Sequence, residues 1–399
     1  MKKILFINLY FEIGGVETLL LRVIRELNRQ GFKSTVLLLR KKYDDSLFSQ
    51  LKEIADVVFL SDLRLYSPEK FRAAVGRDFG HIFVTINDAL LLGAILQRWV
   101  YPNAHLVAGV YQTEVFCAPV TWRYLHRKVI NDLFCYCVPD KNKIIANEAG
   151  RNYHQNKLNY DLSEAKIVPL IVDVEQYLPV ERNHVRREKV VSVGRLVDFK
   201  TYNITFFNVL LELNAQGLFL EWHVYGDGPL EESMRDLIEQ HQLHKQVFLH
   251  GILDYKDFKS VVSDAFVFIG SGTAIIEAAA CGVPVIPAIE YADQAISYGF
   301  FHEIDGISFF EPNMLYPTLN ISTLILYLTS LEQVKYKVLS EKNIEKAMLF
   351  SCSSVSSLYL NAFMGTESNK FKFPVSWFFE YSLRYLTSKV YALSKRLFL

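Results

Sequence analysis

The chain has 399 residues, 51% of them hydrophobic and 22% charged, so it is too apolar for a disordered protein and long enough for two domains. Its 43 Lys and Arg residues balance its 43 Asp and Glu residues, which leaves no overall field that would attract nucleic acid, and no recognition motif for nucleic acid is present. We therefore expect a globular protein with two hydrophobic cores and no nucleic-acid partner.

The N-terminal apolar run at residues 4–7 predicts a buried first strand, because Asn8 and Glu12 interrupt it and Gly14-Gly15 opens a helix. A signal peptide would need a longer apolar run and a cleavage site. No segment reaches about 18 uninterrupted apolar residues, so no membrane span is predicted. The five cysteines lack the spacing of metal ligands, and we expect them to be reduced core thiols.

Short apolar runs alternate with amphipathic stretches throughout the chain, which predicts an α/β fold with parallel sheets and crossover helices. The first half contains predicted strands at residues 3–9, 34–39, 56–60, 81–86, 105–110 and 143–146. After an exposed connection the pattern restarts, with strands at residues 189–193, 218–225, 247–250, 265–269 and 283–286. We predict two doubly wound, Rossmann-like domains at 1–180 and 187–350, a cleft between them that holds the chemistry, and a helical tail at 370–399.

The turn after the first strand reads Gly14-Gly15-Val16-Glu17 and opens a predicted helix at residues 16–30. Glycine lets a ligand approach the backbone closely, and a helix N-terminus offers N–H groups to a phosphate. A tight turn that simply needs glycine explains the same residues. The Gly-x-Gly-x-x-Gly dinucleotide fingerprint is absent from this turn, which disfavours an oxidoreductase.

Two cations follow a strand in the second half, where residues 190–193 lead into Gly194-Arg195-Leu196 and then Lys200. Such a position lies on the ligand side of a parallel sheet. Arg can fork onto two phosphate oxygens while Lys supplies a compact charge, so the pair suits a diphosphate. A solvated surface pair is the alternative interpretation.

Two further blocks lead to a family. One is the sharp turn Gly226-Asp227-Gly228-Pro229, and the other is residues 270–285, which read GSGTAIIEAAACGVPV. In order and spacing, these blocks and the two described above resemble the group 1 glycosyltransferases (family 4), which have the GT-B architecture and act in bacterial envelope polysaccharide synthesis. The resemblance spans nearly the whole chain, and its second-half blocks are the most specific.

The resemblance implies roles for individual residues. Arg195 and Lys200 would act in catalysis by holding the donor diphosphate, and Glu277 would accept hydrogen bonds from the nucleotide ribose. The other implied donor-binding residues are Gly15, Gly272, Thr273, Ala274 and, beside the base, Ile252. The chain departs from the family at Ile269, where a first glutamate is usual, and at Gln112, where relatives often carry His. Gln112 and Glu114 are the acceptor-side candidates, with Asp88 as a weaker one; surface or capping roles compete for Glu114 and Asp88.

The implied activity is transfer of a sugar from a nucleotide-sugar donor to a glycan or lipid-linked acceptor, with retention of configuration. The resemblance also implies that neither a metal nor a cofactor is required, which agrees with the ability of fixed positive charge to stabilise the departing diphosphate. The implied location is cytoplasmic, with peripheral attachment to the inner face of the cell membrane. Two alternatives stay open: a sugar-nucleotide epimerase of the same architecture, and a noncatalytic partner that binds nucleotide sugar or glycan for another transferase.

The tail at residues 370–399 carries six Lys and Arg residues and one Glu. Read as a helix, it forms one apolar stripe, flanked by Trp377, Phe378, Tyr381 and Tyr385. The stripe consists of Val375, Phe379, Leu383, Leu386, Val390, Leu393 and Leu397. Two hypotheses are open. In one, the helix packs back onto the first domain; in the other, its basic, aromatic surface meets an anionic membrane. Both can hold for different parts of the helix.

Overall fold

A computed structural model describes residues 2–63, 67–179, 185–368 and 373–397 of the chain. Contacts divide the chain into two compact units: unit 1 is Met1–Pro169 with Ser356–Leu399, and unit 2 is Leu170–Val355. This division lies earlier than the predicted boundary at residue 180. The reason is local, because the Val172 N–H donates to the Phe350 carbonyl at 2.8 Å and ties this stretch to unit 2.

Unit 1 is built on a seven-stranded parallel sheet in the order β3-β2-β1-β4-β5-β6-β7. Its strands are β1 Lys2–Asn8, β2 Phe32–Leu38, β3 Asp56–Phe59, β4 His81–Val84, β5 His105–Val110, β6 Lys143–Ile145 and β7 Lys166–Ile167. All six predicted strands are present, and β7 adds a short edge. The strand order reverses between β1 and β4, so the loops that leave these two strands diverge and open a crevice at the carboxyl edge of the sheet.

Helices cover this sheet, and several begin at side-chain caps. They are α1 Gly15–Arg29, α2 Asp45–Ile54, α3 Pro68–Val75, α4 Asn87–Trp99, α5 Arg127–Asp132 and α6 Glu148–Leu158. The Asp44 carboxylate accepts from the Leu47 N–H at 2.9 Å, and the Asn147 amide oxygen accepts from the Gly150 N–H at 2.8 Å, which satisfies N–H groups that helix ends leave unpaired. The predicted α1 is therefore present with its glycine turn at its start.

Unit 2 contains a five-stranded parallel sheet in the order β10-β9-β8-β11-β12, which includes all five predicted strands. They are β8 Arg186–Val193, β9 Glu221–Tyr225, β10 Val247–Leu249, β11 Ala265–Gly270 and β12 Val285–Pro287; a small antiparallel pair, β13 Ile296–Ser297 and β14 Leu319–Asn320, lies apart. The order reverses between β8 and β11. The loops that follow these two neighbouring strands therefore meet at one edge, where doubly wound sheets bind ligands.

The helices of unit 2 bury an apolar core that includes Trp222, Phe206 and Phe207, each less than 2% exposed. They are α7 Tyr202–Ala215, α8 Glu231–His241, α9 Phe258–Val262, α10 Thr273–Ala280, α11 Ile321–Ser330 and α12 Gln333–Met348, and α13 Cys352–Met364 then leads the chain back to unit 1. None of the helices among the described residues combines the length and hydropathy that a membrane span requires.

The last helix, α14 Val375–Leu397, belongs to unit 1. It docks through its flanking residues: Trp377 and Tyr381 pack against the core, and the Ser388 hydroxyl accepts from the Leu125 N–H at 3.1 Å. The described part of the predicted stripe points away from this core, with exposed fractions of 44% at Val375, 67% at Phe379, 67% at Leu383 and 60% at Leu386. The helix therefore packs onto unit 1, as one hypothesis predicted, but it does so through residues other than the described residues of the stripe. The stripe side chains from Val390 onward, and the tail residues 370–372 and 398–399, lie outside the described set.

The cysteine prediction agrees with the burial of four thiols, those of Cys117, Cys135, Cys137 and Cys281. Burial raises the pKa of Cys135 and of Cys137 to about 11. Both thiols are therefore protonated at neutral pH and weakly nucleophilic.

Candidate active site

The predicted cations lie on the loop that follows β8. This loop is held by β9, because the Gly194 N–H donates to the Tyr225 carbonyl at 2.9 Å and the Leu196 N–H to the Asp227 carbonyl at 2.8 Å. Arg195 is exposed and Lys200 is partly buried. The loop therefore presents two positive charges at the carboxyl edge of the sheet, where the loops after β8 and β11 begin.

The turn Gly226-Asp227-Gly228 supports this loop by backbone-to-backbone packing. A Cβ atom at Gly226 would lie 1.9 Å from the Gly194 carbonyl oxygen, and one at Gly228 would lie 2.2 Å from the Leu196 carbonyl oxygen. Both glycines also adopt positive φ, +142° and +150°, which side chains disfavour. The two glycines thus set the position of the segment that carries Arg195.

Lys200 packs its ammonium against the start of the same loop. A Cβ atom at Gly194, whose φ is +154°, would lie 2.8 Å from Lys200 Nζ. Burial is the largest effect on Lys200 and lowers its pKa; Glu290 raises that pKa and Arg195 lowers it. The ammonium is therefore a desolvated charge, which acts on a ligand more strongly than a solvated one does.

The second loop runs from β11 to α10, and Gly272 occupies its turn with φ +79°. Beyond its immediate chain neighbours, no atom of the described residues lies within 4 Å of where a Gly272 Cβ would be, so the space beside it is open. The N–H groups in the first turn of α10, at Thr273 and Ala274, have no partner within the helix and carry its positive end. The structure thus places a helix N-terminus, whose N–H groups suit an anion, and the two cations at the carboxyl ends of neighbouring strands.

Glu277 lies one turn into α10 and is 4% exposed. The Tyr255 hydroxyl donates to its Oε1 at 3.2 Å, which orients the carboxylate. Tyr255 is a site residue that the motifs do not reveal, since it lies on a short turn at Tyr255–Asp257 with no pattern of its own.

Glu290 is a second buried carboxylate that the sequence interpretation missed. It follows β12, is 5% exposed, and accepts a hydrogen bond from the Ser271 hydroxyl at 2.9 Å. Its charge acts on Lys200 and also raises the pKa of Tyr202. The sequence signal that could have revealed Glu290 is its position just after a parallel strand. By contrast Ile269, which stands where relatives carry glutamate, is a fully buried core residue of β11.

Ile252 follows β10 and is 65% exposed. The backbone next to it is fixed, because the Gly226 N–H donates to the Gly251 carbonyl at 2.7 Å. The His250 ring stacks on Tyr225 with centroids 4.4 Å apart. An exposed apolar side chain and a flat ring therefore lie near the end of β9.

In unit 1, Gly15 is the first residue of α1 and Gly14 is its N-cap. The Asn8 amide at the end of β1 donates to Glu17 Oε1 at 3.3 Å, and the Thr18 hydroxyl donates to the Gly14 carbonyl at 3.0 Å. The glycine turn therefore joins the carboxyl end of β1 to a helix N-terminus, as predicted.

The acceptor-side candidates Gln112 and Glu114 lie on the loop after β5. Gln112 is exposed and Glu114 is partly exposed. The loop is anchored at Phe116, a buried residue with φ +61° whose N–H donates to Asn87 Oδ1 at 2.9 Å. Such a conformation in a non-glycine residue costs roughly 1–3 kcal/mol, so this loop is held in place rather than relaxed.

Asp88, the weaker candidate, is exposed at the start of α4. Its charge raises the pKa of His126 against the effect of burial, and it contributes to the raised pKa of Tyr381. It thus lies on the side of unit 1 where α14 docks, which favours a structural role. Among the described residues, no group of three or more His, Cys, Asp or Glu side chains is arranged to hold a metal ion.

Known proteins resemble part of this chain in sequence. Residues 173–289 match the family model of the group 1 glycosyl transferases. The chain is 30% identical over 113 residues to a putative colanic acid biosynthesis glycosyltransferase, WcaL, of Escherichia coli K12, covering 25% of this chain and 28% of that protein. It is 29% identical over 126 residues to a component of the human phosphatidylinositol N-acetylglucosaminyltransferase, covering 30% and 26%. The matches thus span little more than a quarter of each relative.

Solved structures resemble the whole chain. Anabaena Alr3699/HepE in complex with UDP-glucose superposes with a TM-score of 0.66 at 16% identity, covering 91% of this chain and 100% of that one. Sucrose-phosphate synthase from Thermosynechococcus elongatus gives 0.66 at 15% identity, covering 92% and 100%. The predicted resemblance to group 1 glycosyltransferases is confirmed, as is the α/β fold of two parallel-sheet domains of the GT-B type.

Proposed function

We propose that this chain, which resembles the group 1 glycosyltransferases in its second half and has their GT-B fold, transfers a sugar from a nucleotide donor to an envelope glycan or glycolipid. One observation carries the proposal. Arg195, Lys200 and the N-terminus of α10 converge on the edge between β8 and β11. That combination of charges suits a diphosphate that gains negative charge as it leaves.

The leaving group explains why strong fixed charge matters more than a conventional catalytic base. When the bond from the sugar to the diphosphate breaks, negative charge develops on the bridging phosphate oxygen. Arg195 and Lys200 stabilise this charge more in the transition state than in the ground state, which lowers the barrier. The departing phosphate can then accept the proton of the acceptor hydroxyl. Retention of configuration and independence of metal are supported by the family resemblance.

Nucleotide recognition is assigned to Glu277 and Ile252. A carboxylate accepts several hydrogen bonds at once, and Tyr255 already fixes the orientation of the Glu277 carboxylate, so the group suits the two ribose hydroxyls. Ile252 and the His250 ring would contact the base. A nucleotide-sugar donor is supported by Alr3699/HepE, whose structure contains UDP-glucose.

A glycan or lipid-linked acceptor is supported by the relatives, one named for colanic acid biosynthesis and one for phosphatidylinositol. Gln112 and Glu114 would contact that acceptor. A location on the cytoplasmic side of the membrane stays a prediction that rests on the family resemblance.

The exposed stripe of α14 would attach unit 1 to an anionic membrane. Phe379, Leu383 and Leu386 are at least 60% exposed, and Trp122, on the turn against which α14 packs, is 67% exposed. Arg123 and Lys389 are exposed on the same two elements. Apolar insertion together with roughly 1 kcal/mol for each Lys or Arg near the surface gives reversible binding.

Vesicle sedimentation tests the attachment. Anionic phosphatidylglycerol vesicles should retain the wild type at low salt, and the double variant Phe379→Ser with Leu383→Ser should bind clearly less. Val334→Ser is the matched control, because Val334 is 72% exposed on unit 2. Equal binding by the double variant, or no binding by the wild type, would remove the membrane role of α14.

The activity itself is tested with a panel of nucleotide sugars incubated with membrane lipid acceptors and read by mass spectrometry. The proposal expects a product whose mass increases by one sugar. Donor isomerised without any acceptor would indicate an epimerase instead. Donor binding with no product from any acceptor would indicate a noncatalytic partner.

A further inference from the structure

The loop that follows β12 touches both loops of the donor site. On one side the Glu290 carboxylate accepts from the Ser271 hydroxyl at 2.9 Å, just before α10. On the other side the Tyr291 N–H donates to the Phe199 carbonyl at 2.9 Å, and the two rings stack with centroids 5.9 Å apart. Phe199 directly precedes Lys200. Residues 290 and 291 therefore join the anion-binding loop to the cation-bearing loop.

The backbone of the junction formed by residues 290 and 291 is constrained. Tyr291 has φ +60°, a conformation that costs a non-glycine residue about 1–2 kcal/mol. It is maintained by neighbouring bonds, because the Ile289 N–H donates to the Ile296 carbonyl and the Glu290 N–H to the Phe310 carbonyl. Strain of this kind persists only where the surroundings determine the conformation, and it clusters at functional sites.

The charge of Glu290 gives the junction a second role, which is electrostatic. Glu290 is 5% exposed, and an ionised carboxylate at that depth requires compensation. The groups whose charges act on Lys200 are Glu290, which raises its pKa, and Arg195, which lowers it, while burial lowers it most. Burial, and after it the Glu290 charge, raises the pKa of Tyr202, which therefore stays neutral. The Glu290 charge thus favours the protonated form of the partly buried Lys200.

We propose that Glu290 is a positioning residue of the donor site, which holds the Ser271-Gly272 turn and supplies a buried negative charge beside the loop that carries Lys200, while Tyr291 fixes the backbone at Phe199. The inference rests on the proposed function and extends it to residues outside the family motifs. Glu290 touches no substrate in this account. It acts through Lys200 and Ser271.

The test measures how pH affects binding of a nucleoside diphosphate. The probe is whichever of UDP, GDP and ADP binds the wild-type chain most tightly, titrated by calorimetry from about pH 6.5 to about pH 9.5, below the ordinary lysine pKa. Glu290→Gln keeps the size of the side chain and removes its charge, so the Lys200 ammonium should deprotonate at lower pH. Binding at the alkaline end should fall roughly tenfold, the loss of a charge-assisted contact, with a smaller loss at neutral pH.

Two further variants separate charge from structure. Glu26→Gln is the matched control, because Glu26 is also a buried carboxylate, 7% exposed, and lies on α1 of unit 1. It should lower stability without moving the pH dependence. Ser271→Ala keeps the Glu290 charge and should weaken binding equally at every pH; it also serves if Glu290→Gln does not fold.

The outcomes are distinguishable. A wild-type chain that binds none of the three nucleotides contradicts the proposed function itself. A wild type that binds, together with a folded Glu290→Gln variant of unchanged pH dependence, overturns only the role of Glu290. If Glu290→Gln is unfolded, a Ser271→Ala variant that binds like the wild type at every pH overturns it as well.

Discussion

The carboxyl edges of the two sheets differ in how they hold their polar residues. In unit 2 the edge is packed backbone against backbone, with Gly226 against Gly194, and its carboxylates Glu277 and Glu290 are buried and hydrogen-bonded. In unit 1 the corresponding edge presents Gln112, which is exposed on a loop. In the proposed function, unit 2 binds a diphosphate, which is common to all nucleoside-diphosphate sugars and permits one rigid solution, whereas acceptors vary and would be met by surface side chains of unit 1.

Removing either cation of unit 2 should have the largest effect of all, and that effect should be on the rate of transfer. Arg195→Ala and Lys200→Ala should each raise the barrier to transfer by on the order of 2–4 kcal/mol, because each charge acts most strongly as the diphosphate leaves. The measurement is kcat and KM with the donor identified by the panel. The loss should lie in kcat more than in donor affinity, and near-normal turnover by both folded variants would refute the site.

Crowding the backbone of unit 2 should have an effect of similar size, on the stability of the fold rather than on transfer. Gly226→Ala places a methyl group where only 1.9 Å is available, at φ +142°, and should destabilise the fold by on the order of 3 kcal/mol. The control is Gly217→Ala, where φ is +78° and no atom of the described chain crowds the Cβ position within 4 Å, so only the backbone cost of about 1 kcal/mol remains. Urea unfolding of the two variants checks the difference, and equal losses would show that the packing is not rigid.

Glu277→Gln should weaken nucleotide binding by roughly 1 kcal/mol, because an amide accepts hydrogen bonds from ribose hydroxyls less strongly than a carboxylate does. Isothermal titration with the free nucleoside diphosphate measures this without any acceptor. Glu239→Gln is a suitable control, since Glu239 is an exposed residue on α8. Unchanged affinity in Glu277→Gln would contradict the ribose assignment.

The smallest effect on donor binding should come from unit 1. Gln112→Ala should leave nucleoside diphosphate affinity within about twofold of the wild type, since an exposed loop residue seldom changes stability or packing by more than about 0.5 kcal/mol. Transfer to the acceptor should decline instead. A marked loss of nucleotide affinity would mean that the two edges do not divide the substrates as proposed.

Much of the fold could be predicted from the sequence, because parallel strands buried on both faces form continuous apolar runs. The runs at 81–86 and 265–269 each correspond to an observed strand, β4 and β11. The edge strand β7 was missed because Lys166–Ile167 is too short to show a pattern. The docking face of α14 could not be inferred, since both of its faces carry large apolar side chains. Only the tertiary contacts show that Trp377 and Tyr381 pack against the core.

The candidate-site residues that the sequence supplies are those whose spacing along the chain is fixed by the chemistry. Arg195, Lys200 and Glu277 belong to such motifs, and Gly226 and Gly228 mark a backbone contact that no other residue fits. Glu290 belongs to no motif, because its hydrogen-bond partner Ser271 is 19 residues away and meets it only through sheet topology. Side chains that act through another residue are therefore the ones that sequence patterns miss.

The central claim is that the edge between β8 and β11 binds the donor through its diphosphate. Calorimetric titration of the wild type and of Lys200→Ala with a nucleoside diphosphate and with the matching nucleoside tests it most directly. The account predicts that the wild type prefers the diphosphate strongly and that Lys200→Ala loses most of this preference while still binding the nucleoside. Equal preference for the diphosphate in both proteins would contradict the claim.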